Sequence, residues 1–268
     1  MSSVLEAIER LNRLEKLVLP DLSQALVRIQ SGNLGIKTKS NDKDLVTVAD
    51  VESENRLTSF IREHWPEDSI LAEETGGSIG RDLTWIIDPV DGTVNYAHGL
   101  PLYSVSVGIA LDGKPVAGIV HMPSLGTTYK GAVGHGATKN GHPIRVSETN
   151  AASQALVVTG FPYDRATILE ALIAGVESVL KNCRGIRRTG SASIDLCWLA
   201  EGSFDAHYEC NLSPWDTCAS EVILQEAGGR ITTFAGEEHR LTDKTLLATN
   251  HLLHEAMLQI IAPLRSGL

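Results

Sequence analysis

Residues 85–95 read Trp-Ile-Ile-Asp-Pro-Val-Asp-Gly-Thr-Val-Asn (WIIDPVDGTVN). An apolar run ends in Asp88, and a second carboxylate, Asp91, follows three residues later across Pro89 and Val90. An Asp-Pro or Asp-Gly step alone is ordinary turn chemistry. Two acids, a glycine and a threonine within six positions are more than a turn requires. The pattern predicts a buried strand that stops at Asp88, with Pro89 fixing the direction of the backbone. Val90 then turns outward a carbonyl that is hard to satisfy internally. Gly92 and Thr93 open a helix and present backbone N–H groups there.

Those groups have a definite chemistry. Two carboxylates and a carbonyl are hard oxygen donors, suited to Mg²⁺ and not to zinc. Left unpaired, the acids repel, which raises a pKa or demands a cation. N–H donors at a helix start form a phosphate site. Cation and phosphate together point to metal-assisted phosphoryl transfer to water.

The rest of the chain is compatible with this. It has 268 residues, 43% hydrophobic and 21% charged, enough for one large domain or two closely packed halves. A formal net charge of -10 argues against nonspecific binding to nucleic acid or an anionic membrane. An anionic substrate then needs a cation to reverse the field locally. The four cysteines form no C-x-x-C pair and read as reduced, mostly buried thiols of a cytoplasmic protein. The N-terminal stretch is amphipathic and salted with charge, unlike a signal peptide, and no apolar run is long enough to span a membrane.

Helical spacing runs from Val4 to Leu14 and from Leu22 to Ile29, divided by Pro20 and ended by Gly32 and Gly35. Asp50 is positioned to cap a helix carrying Leu57, Phe60, Ile61 and Trp65. Asp112-Gly113 and Asn140-Gly141 are hairpin turns. Gly131, Gly134 and Gly136 hint at a phosphate loop, but no helix pattern follows, so turns and bulges explain them better. Beyond residue 150 the sequence predicts a strand at 156–159, helices at 167–180 and 193–199, and a strand at 204–208. A helix at 215–227, strands at 230–234 and 246–249, and a closing helix complete it. The reading is two α/β halves, 1–150 and 151–268, with a seam near residue 150.

Acids also recur where elements begin or end: Asp50, Glu73 with Glu74, and Asp216. Taken singly, they read as a helix cap, a solvated strand end and a first-turn acid matching the helix dipole. No Ser/His/Asp or Cys/His set competes. The nine histidines are scattered, and His121 and His207 read as structural.

The ordered pieces KDLVTVAD (43–50), AEET (72–75), WIIDPVDGTVNY (85–96), RRTGSASIDLC (187–197), DAHYE (205–209), PWDTCAS (214–220) and EAGG (226–229) resemble the inositol monophosphatase family over nearly the whole chain. That family lies within the lithium-sensitive, Mg²⁺-dependent phosphatase superfamily. The resemblance implies an α/β (α+β) fold, a layered αβαβα sandwich of the inositol monophosphatase and fructose-1,6-bisphosphatase type. It implies one integrated catalytic unit, most metal ligands coming from 1–150 and Asp216 with the substrate rim from 151–268.

Carried over by position, Glu73, Asp88 and the Val90 carbonyl match the ligands of a first Mg²⁺. Asp88, Asp91 and Asp216 match those of a second, with Asp88 bridging, and Glu73 holds a third, weakly bound ion through water. Thr93, hydrogen-bonded to Asp50, matches the hydroxyl that polarises the attacking water. The Gly92 and Thr93 amides match the phosphate site. Asp91, Gly190, Ser191, Ala192 and Glu209 match positions touching the alcohol, and Lys39 matches a lysine of a mobile loop.

The superfamily acts on inositol monophosphates, fructose 1,6-bisphosphate, histidinol phosphate and 3′-phosphoadenosine 5′-phosphate. Glu209 and the 190–192 turn look like the inositol type, whereas TGFPYDR (159–165) looks bacterial and fits a broader specificity. The family suggests a homodimer. Some bacterial members also act in transcription antitermination by binding proteins, for which Arg184, Arg187 and Arg188 are the available patch. The blander reading of that patch is an arginine cluster of structural or dimer-interface type.

Overall fold

The computed structural model describes residues 2–32, 34–39 and 44–265. Residues 40–43, which belong to the loop around Lys39 and to the start of KDLVTVAD, lie outside the described residues. The chain opens with α1 (Ser2–Leu17) and α2 (Leu19–Gln30), the pair of strands β1 (Lys37–Thr38) and β2 (Leu45–Val46), and α3 (Val48–His64). Strands β3 (Ser69–Ala72), β4 (Gly76–Gly77) and β5 (Leu83–Asp91) lead to the short helix α4 (Thr93–Ala97). A meander follows: β6 (Ser104–Leu111), β7 (Lys114–Met122), β8 (Thr127–Ala132), β9 (Gly136–Lys139) and β10 (His142–Pro143). Next come β11 (Leu156–Thr159), α5 (Leu169–Asn182), β12 (Gly185–Arg187), α6 (Ala192–Ala200), β13 (Ala206–Cys210) and α7 (Pro214–Glu226). The chain closes with β14 (Arg230–Thr232), β15 (Thr245–Thr249), α8 (His254–Ile260) and α9 (Ala262–Arg265).

Two sheets result. The larger has eight strands in the order β10-β9-β8-β7-β6-β5-β3-β4, and the smaller has five, β12-β11-β13-β15-β14. Helices α1 to α3 cover one face of the larger sheet through Leu11, Leu14, Leu22, Leu57 and Ile61. Helices α6 and α7 lie between the sheets, where Ile194, Leu199 and Ile223 meet Val120 and Tyr129 on one side and Val158 and Leu246 on the other. Helices α5, α8 and α9 close the outside of the smaller sheet through Leu172, Met257 and Leu264. The order of layers is αβαβα. Strand β5, covered on both faces, is buried at all nine positions, which is why it reads as an unbroken apolar run.

Both hairpin turns form as the sequence predicts, with positive φ at Asp112 and Gly113 and at Asn140 and Gly141. Helix α1 ends at Leu17 and Pro20 falls in the first turn of α2, where its missing N–H does no harm. Other expectations need correction. Strand β5 does not stop at Asp88 but runs to Asp91, because a register irregularity between the two aspartates absorbs Pro89. Asp50 is not the cap of α3. Thr47 is extended and takes that position, and Asp50 sits at N3 of a capping box. The closing helix is divided between α8 and α9.

Gly131 has a role the sequence did not reveal. Gly108, Gly118 and Gly131 are direct cross-strand partners on β6, β7 and β8, so they form a row across the sheet. A Cβ on any of them would run into α7, at Cys218, Ala219 and Ile223 respectively. The row is a groove that lets the backbone of α7 approach the sheet. Gly118→Ala should cost about 1–3 kcal/mol through overpacking, lowering the thermal midpoint by roughly 2–10 °C. Gly32→Ala, whose Cβ would meet nothing closer than 3.6 Å, is the control and should leave the midpoint in place. Thermal unfolding of the two variants checks this.

Candidate active site

Strands β3 and β5 run parallel with Ala72 opposite Ile87, so the next residues, Glu73 and Asp88, emerge side by side at the same strand ends. The backbone N–H of Glu73 donates to Ile87 O at 3.2 Å and fixes that junction. Asp91 lies beyond the bulge on β5, opposite Ser104 of β6. Asp216 arrives from the other side of the sheet in the first turn of α7, guided by the glycine groove.

Asp50 and Asp216 are held by the same device. Thr47 N–H and Oγ1–H donate to Asp50 Oδ2 at 2.7 and 2.6 Å, and Ser213 N–H donates to Asp216 Oδ2 at 2.6 Å. Each is the N3 acid of a capping box, and each keeps its second oxygen outside the cap. For Asp50 that oxygen, Oδ1, accepts from Thr93 Oγ1 at 3.0 Å. Thr93 Oγ1 is also 3.0 Å from Val90 O, but a hydroxyl has one hydrogen and the Asp50 carboxylate takes it, so the Val90 carbonyl keeps lone pairs to offer, as the sequence predicts. Asp88 Oδ1 accepts from Val90 N–H at 3.0 Å.

The carboxyl groups of this cluster all titrate high. Burial raises Asp88 first, and the charges of Glu73, Asp91 and Asp216 add to it. Burial likewise raises Asp216, with Asp91 and Glu73 repelling it and the Ser213 N–H opposing the shift. Asp91 is raised by burial against the pull of its serine donors. Glu73 is pushed up to about 7 by burial, with the Lys39 ammonium working against the shift. Lys39 Nζ lies 2.7 Å from Glu73 Oε1 and also pairs with Glu74. Burial tends to lower the Lys39 pKa, and the two carboxylates outweigh it. An oxygen-only donor set that repels itself and gathers an ammonium fits hard divalent cations such as Mg²⁺.

Glu73, Asp91 and Asp216 line a cavity of about 300 Å³ together with Gly92, Gly190, Ser191, Ala192 and Glu209. Gly92 has φ of 91° and an added Cβ would sit 2.9 Å from Leu102 O. The first helical bond of α4 is donated by Tyr96 N–H to Gly92 O at 3.0 Å, so the Gly92 and Thr93 amides precede the ladder. Glu209 is not an exposed strand end; its carboxyl is pushed up to about 8 by burial, with Arg188 opposing. Its carboxylate lies over Gly160, where a Cβ would overlap it. His207 Nε2 is 3.5 Å from Glu209 Oε2, and burial drives the imidazole down to about 3, so it is neutral. His121 bonds to Ser23 Oγ at 2.7 Å and Thr128 Oγ1 at 2.8 Å, a structural role. A depression of about 740 Å³ beside α3 is larger, but among the described residues Glu52 is the only acid lining it.

Several residues escaped the sequence reading. Glu54 accepts from Glu74 N–H at 2.8 Å and Thr75 N–H at 2.9 Å, tying the AEET turn to α3. Its signal was available: Asp50, Ser53, Glu54 and Thr58 are polar residues on the buried face of one helix. The Ser191 hydroxyl, assigned to the alcohol side from sequence, donates to Asp91 Oδ2 at 2.6 Å. Ser193 and Ser104 join it there. Arg188 lines the cavity, so the three arginines do not form one remote patch.

Comparisons with known proteins place the whole chain. A relative from Aquifex aeolicus, fructose-1,6-bisphosphatase/inositol-1-monophosphatase, is 37% identical over 85% of this chain and 88% of its own. The putative Nus factor SuhB of Neisseria meningitidis serogroup B is 37% identical over 89% of this chain and 93% of its own. Among solved structures, Thermotoga maritima IMPase TM1415 superposes with a TM-score of 0.88 at 32% identity, covering 96% of this chain and 98% of that one. The model of the inositol monophosphatase family matches residues 7–266, and the chain belongs to that family.

Proposed function

We propose that this protein hydrolyses a phosphate monoester with water as the nucleophile, myo-inositol monophosphate being the substrate its cavity suits best. The observation that carries the reading is the clustering of Glu73, Asp88, Asp91 and Asp216, three of which line one cavity, beside the Asp50–Thr93 pair. Glu73, Asp88 and the Val90 carbonyl would hold one Mg²⁺, and Asp88, Asp91 and Asp216 a second, with Glu73 reaching a third through water. Bound Mg²⁺ supplies charge neutralisation and Lewis-acid polarisation of the phosphoryl group and of the attacking water.

The chain's own groups do the rest. Thr93 Oγ1 gives its hydrogen to Asp50 Oδ1, which leaves an oxygen lone pair to accept from water and aim it. Asp50, fixed by two donors on its other oxygen, is the place a proton can go. The Gly92 and Thr93 amides donate to phosphate oxygens. On the alcohol side, the 190–192 turn shapes the wall and Glu209 accepts from ring hydroxyls. Fructose 1,6-bisphosphate is the rival substrate, because Arg188 stands at the rim beside Glu209. A protein-binding role like that named for the SuhB relative would have to use Arg184 and Arg187, which are exposed.

Phosphate release from a panel of monoesters tests the reading directly, with turnover expected in Mg²⁺ and none in excess chelator. Thr93→Ala should lower kcat by about 10²–10⁴-fold. Asp50→Asn should do the same, and the double variant should be little worse than either. A kcat loss below about threefold, far under that range, would reduce Thr93 to a turn residue.

Substrate choice has its own test. Glu209→Gln should cut kcat/KM for inositol monophosphate by about ten- to a hundredfold, with glycerol 2-phosphate much less affected. Because the Glu209 carboxyl titrates at about 8, the loss should be larger above that pH, where a charge is removed. Equal losses on both esters, or a changed Mg²⁺ requirement, would place Glu209 in the metal centre.

A further inference from the structure

Asp91 Oδ2 is the most heavily bonded carboxylate oxygen of the cluster. It accepts from Ser191 Oγ at 2.6 Å, Ser193 N–H at 2.8 Å and Ser193 Oγ at 2.5 Å. Ser193 Oγ is in turn 2.7 Å from Ser104 Oγ. Ser104 and Ser193 are fully buried. An ionised carboxylate only accepts, so Ser193 must donate to Asp91 and therefore accepts from Ser104. The direction of the relay is fixed: Ser104 to Ser193 to Asp91.

The two serines come from different layers. Ser104 is the cross-strand partner of Asp91 on β6, and Ser193 belongs to the first turn of α6. Ser191 has a second task, since its hydroxyl also accepts from Ile194 N–H as the cap of α6. The only partners of the Ser193 hydroxyl among the described residues are Asp91 and Ser104.

We propose that Ser193, backed by Ser104, is a positioning residue of the metal centre: it locks the Asp91 side chain by Oδ2 so that Oδ1 is presented to the cation. The inference rests on the metal-dependent reading above and adds to it a residue outside the ligand set and outside the alcohol-contacting turn. Its effect passes through the geometry of Asp91, so it is read in metal affinity on the substrate-free protein. Partners that orient a metal ligand are typically worth about 10–100-fold in metal affinity or activity. With Ser191 Oγ and the Ser193 amide still in place, the lower end applies.

The test is Mg²⁺ binding by titration calorimetry on the substrate-free protein, together with kcat and KM at saturating Mg²⁺. Ser193→Ala should weaken Mg²⁺ binding about tenfold, and any rise in the KM for inositol monophosphate should come only together with that loss. Ser104→Ala, which keeps the bond to Asp91, should move Mg²⁺ binding in the same direction by less and stands in if Ser193→Ala does not fold. The double variant should be no worse than Ser193→Ala, since Ser104 acts only through Ser193. Mg²⁺ affinity within about twofold of the parent, well under that range, a raised KM with unchanged metal affinity, or additive losses would each overturn the proposal. A parent protein that binds Mg²⁺ normally while Ser193→Ala also does so overturns this inference alone. A parent that binds no Mg²⁺ overturns the metal-dependent reading as well.

Discussion

Glu73, Asp88, Asp91 and Asp216 are buried as one cluster, and the cost of keeping their charge out of water governs the rest of the structure. Removing even one such group from water is expensive, and like charges nearby make it worse. The fold answers by clamping three of them through one oxygen. Asp88 is held by the Val90 N–H, Asp91 by two serines, and Asp216 by the Ser213 N–H. Glu73 takes the Lys39 ammonium instead. The pKa values of all four stay raised, burial being the first cause of each, and a divalent cation is the counter-charge proposed for them.

The scaffold can be understood as the means of delivering those groups. Parallel β3 and β5 bring Glu73 beside Asp88, and the bulge on β5 brings Asp91 around Pro89. The glycine row lets α7 lie close enough for Asp216 to reach the same point from the opposite layer. Helix α6, packed in that layer, supplies the serines that hold Asp91. The same economy places Thr93 between Asp50 and Val90, so one hydroxyl spans α3 and the β5–α4 turn.

Much of this was legible in the sequence because it is local. The pair Asp88 and Asp91, the Gly92-Thr93 helix start and both hairpin turns are set by neighbours a few residues away. Asp50 and Asp216 were legible as helix-start acids, and the structure shows that each binds its cap through Oδ2, Asp50 giving its other oxygen to Thr93. What the sequence hid depends on packing between distant segments. Gly108, Gly118 and Gly131 look like unrelated glycines until the strand register aligns them. Gly160 shows nothing until Glu209 is laid over it, and Ser104 and Ser193 are 89 residues apart along the chain. Arg188 sits in a short basic run whose local pattern suggested a protein-binding patch.

The central claim is that cation binding relieves the repulsion of this cluster, and stability measured against pH with and without Mg²⁺ tests it most directly. A carboxyl raised in the folded state keeps its proton where the unfolded chain has lost it, so its contribution to stability falls as pH rises through that window. For Glu73 the window runs from 4.5 to about 7. Protons and Mg²⁺ compete for the same oxygens, so the gain in thermal midpoint on adding Mg²⁺ over chelator should be small near about pH 5 and large by about pH 8. A gain that is absent, or the same at both ends of that range, would contradict the account.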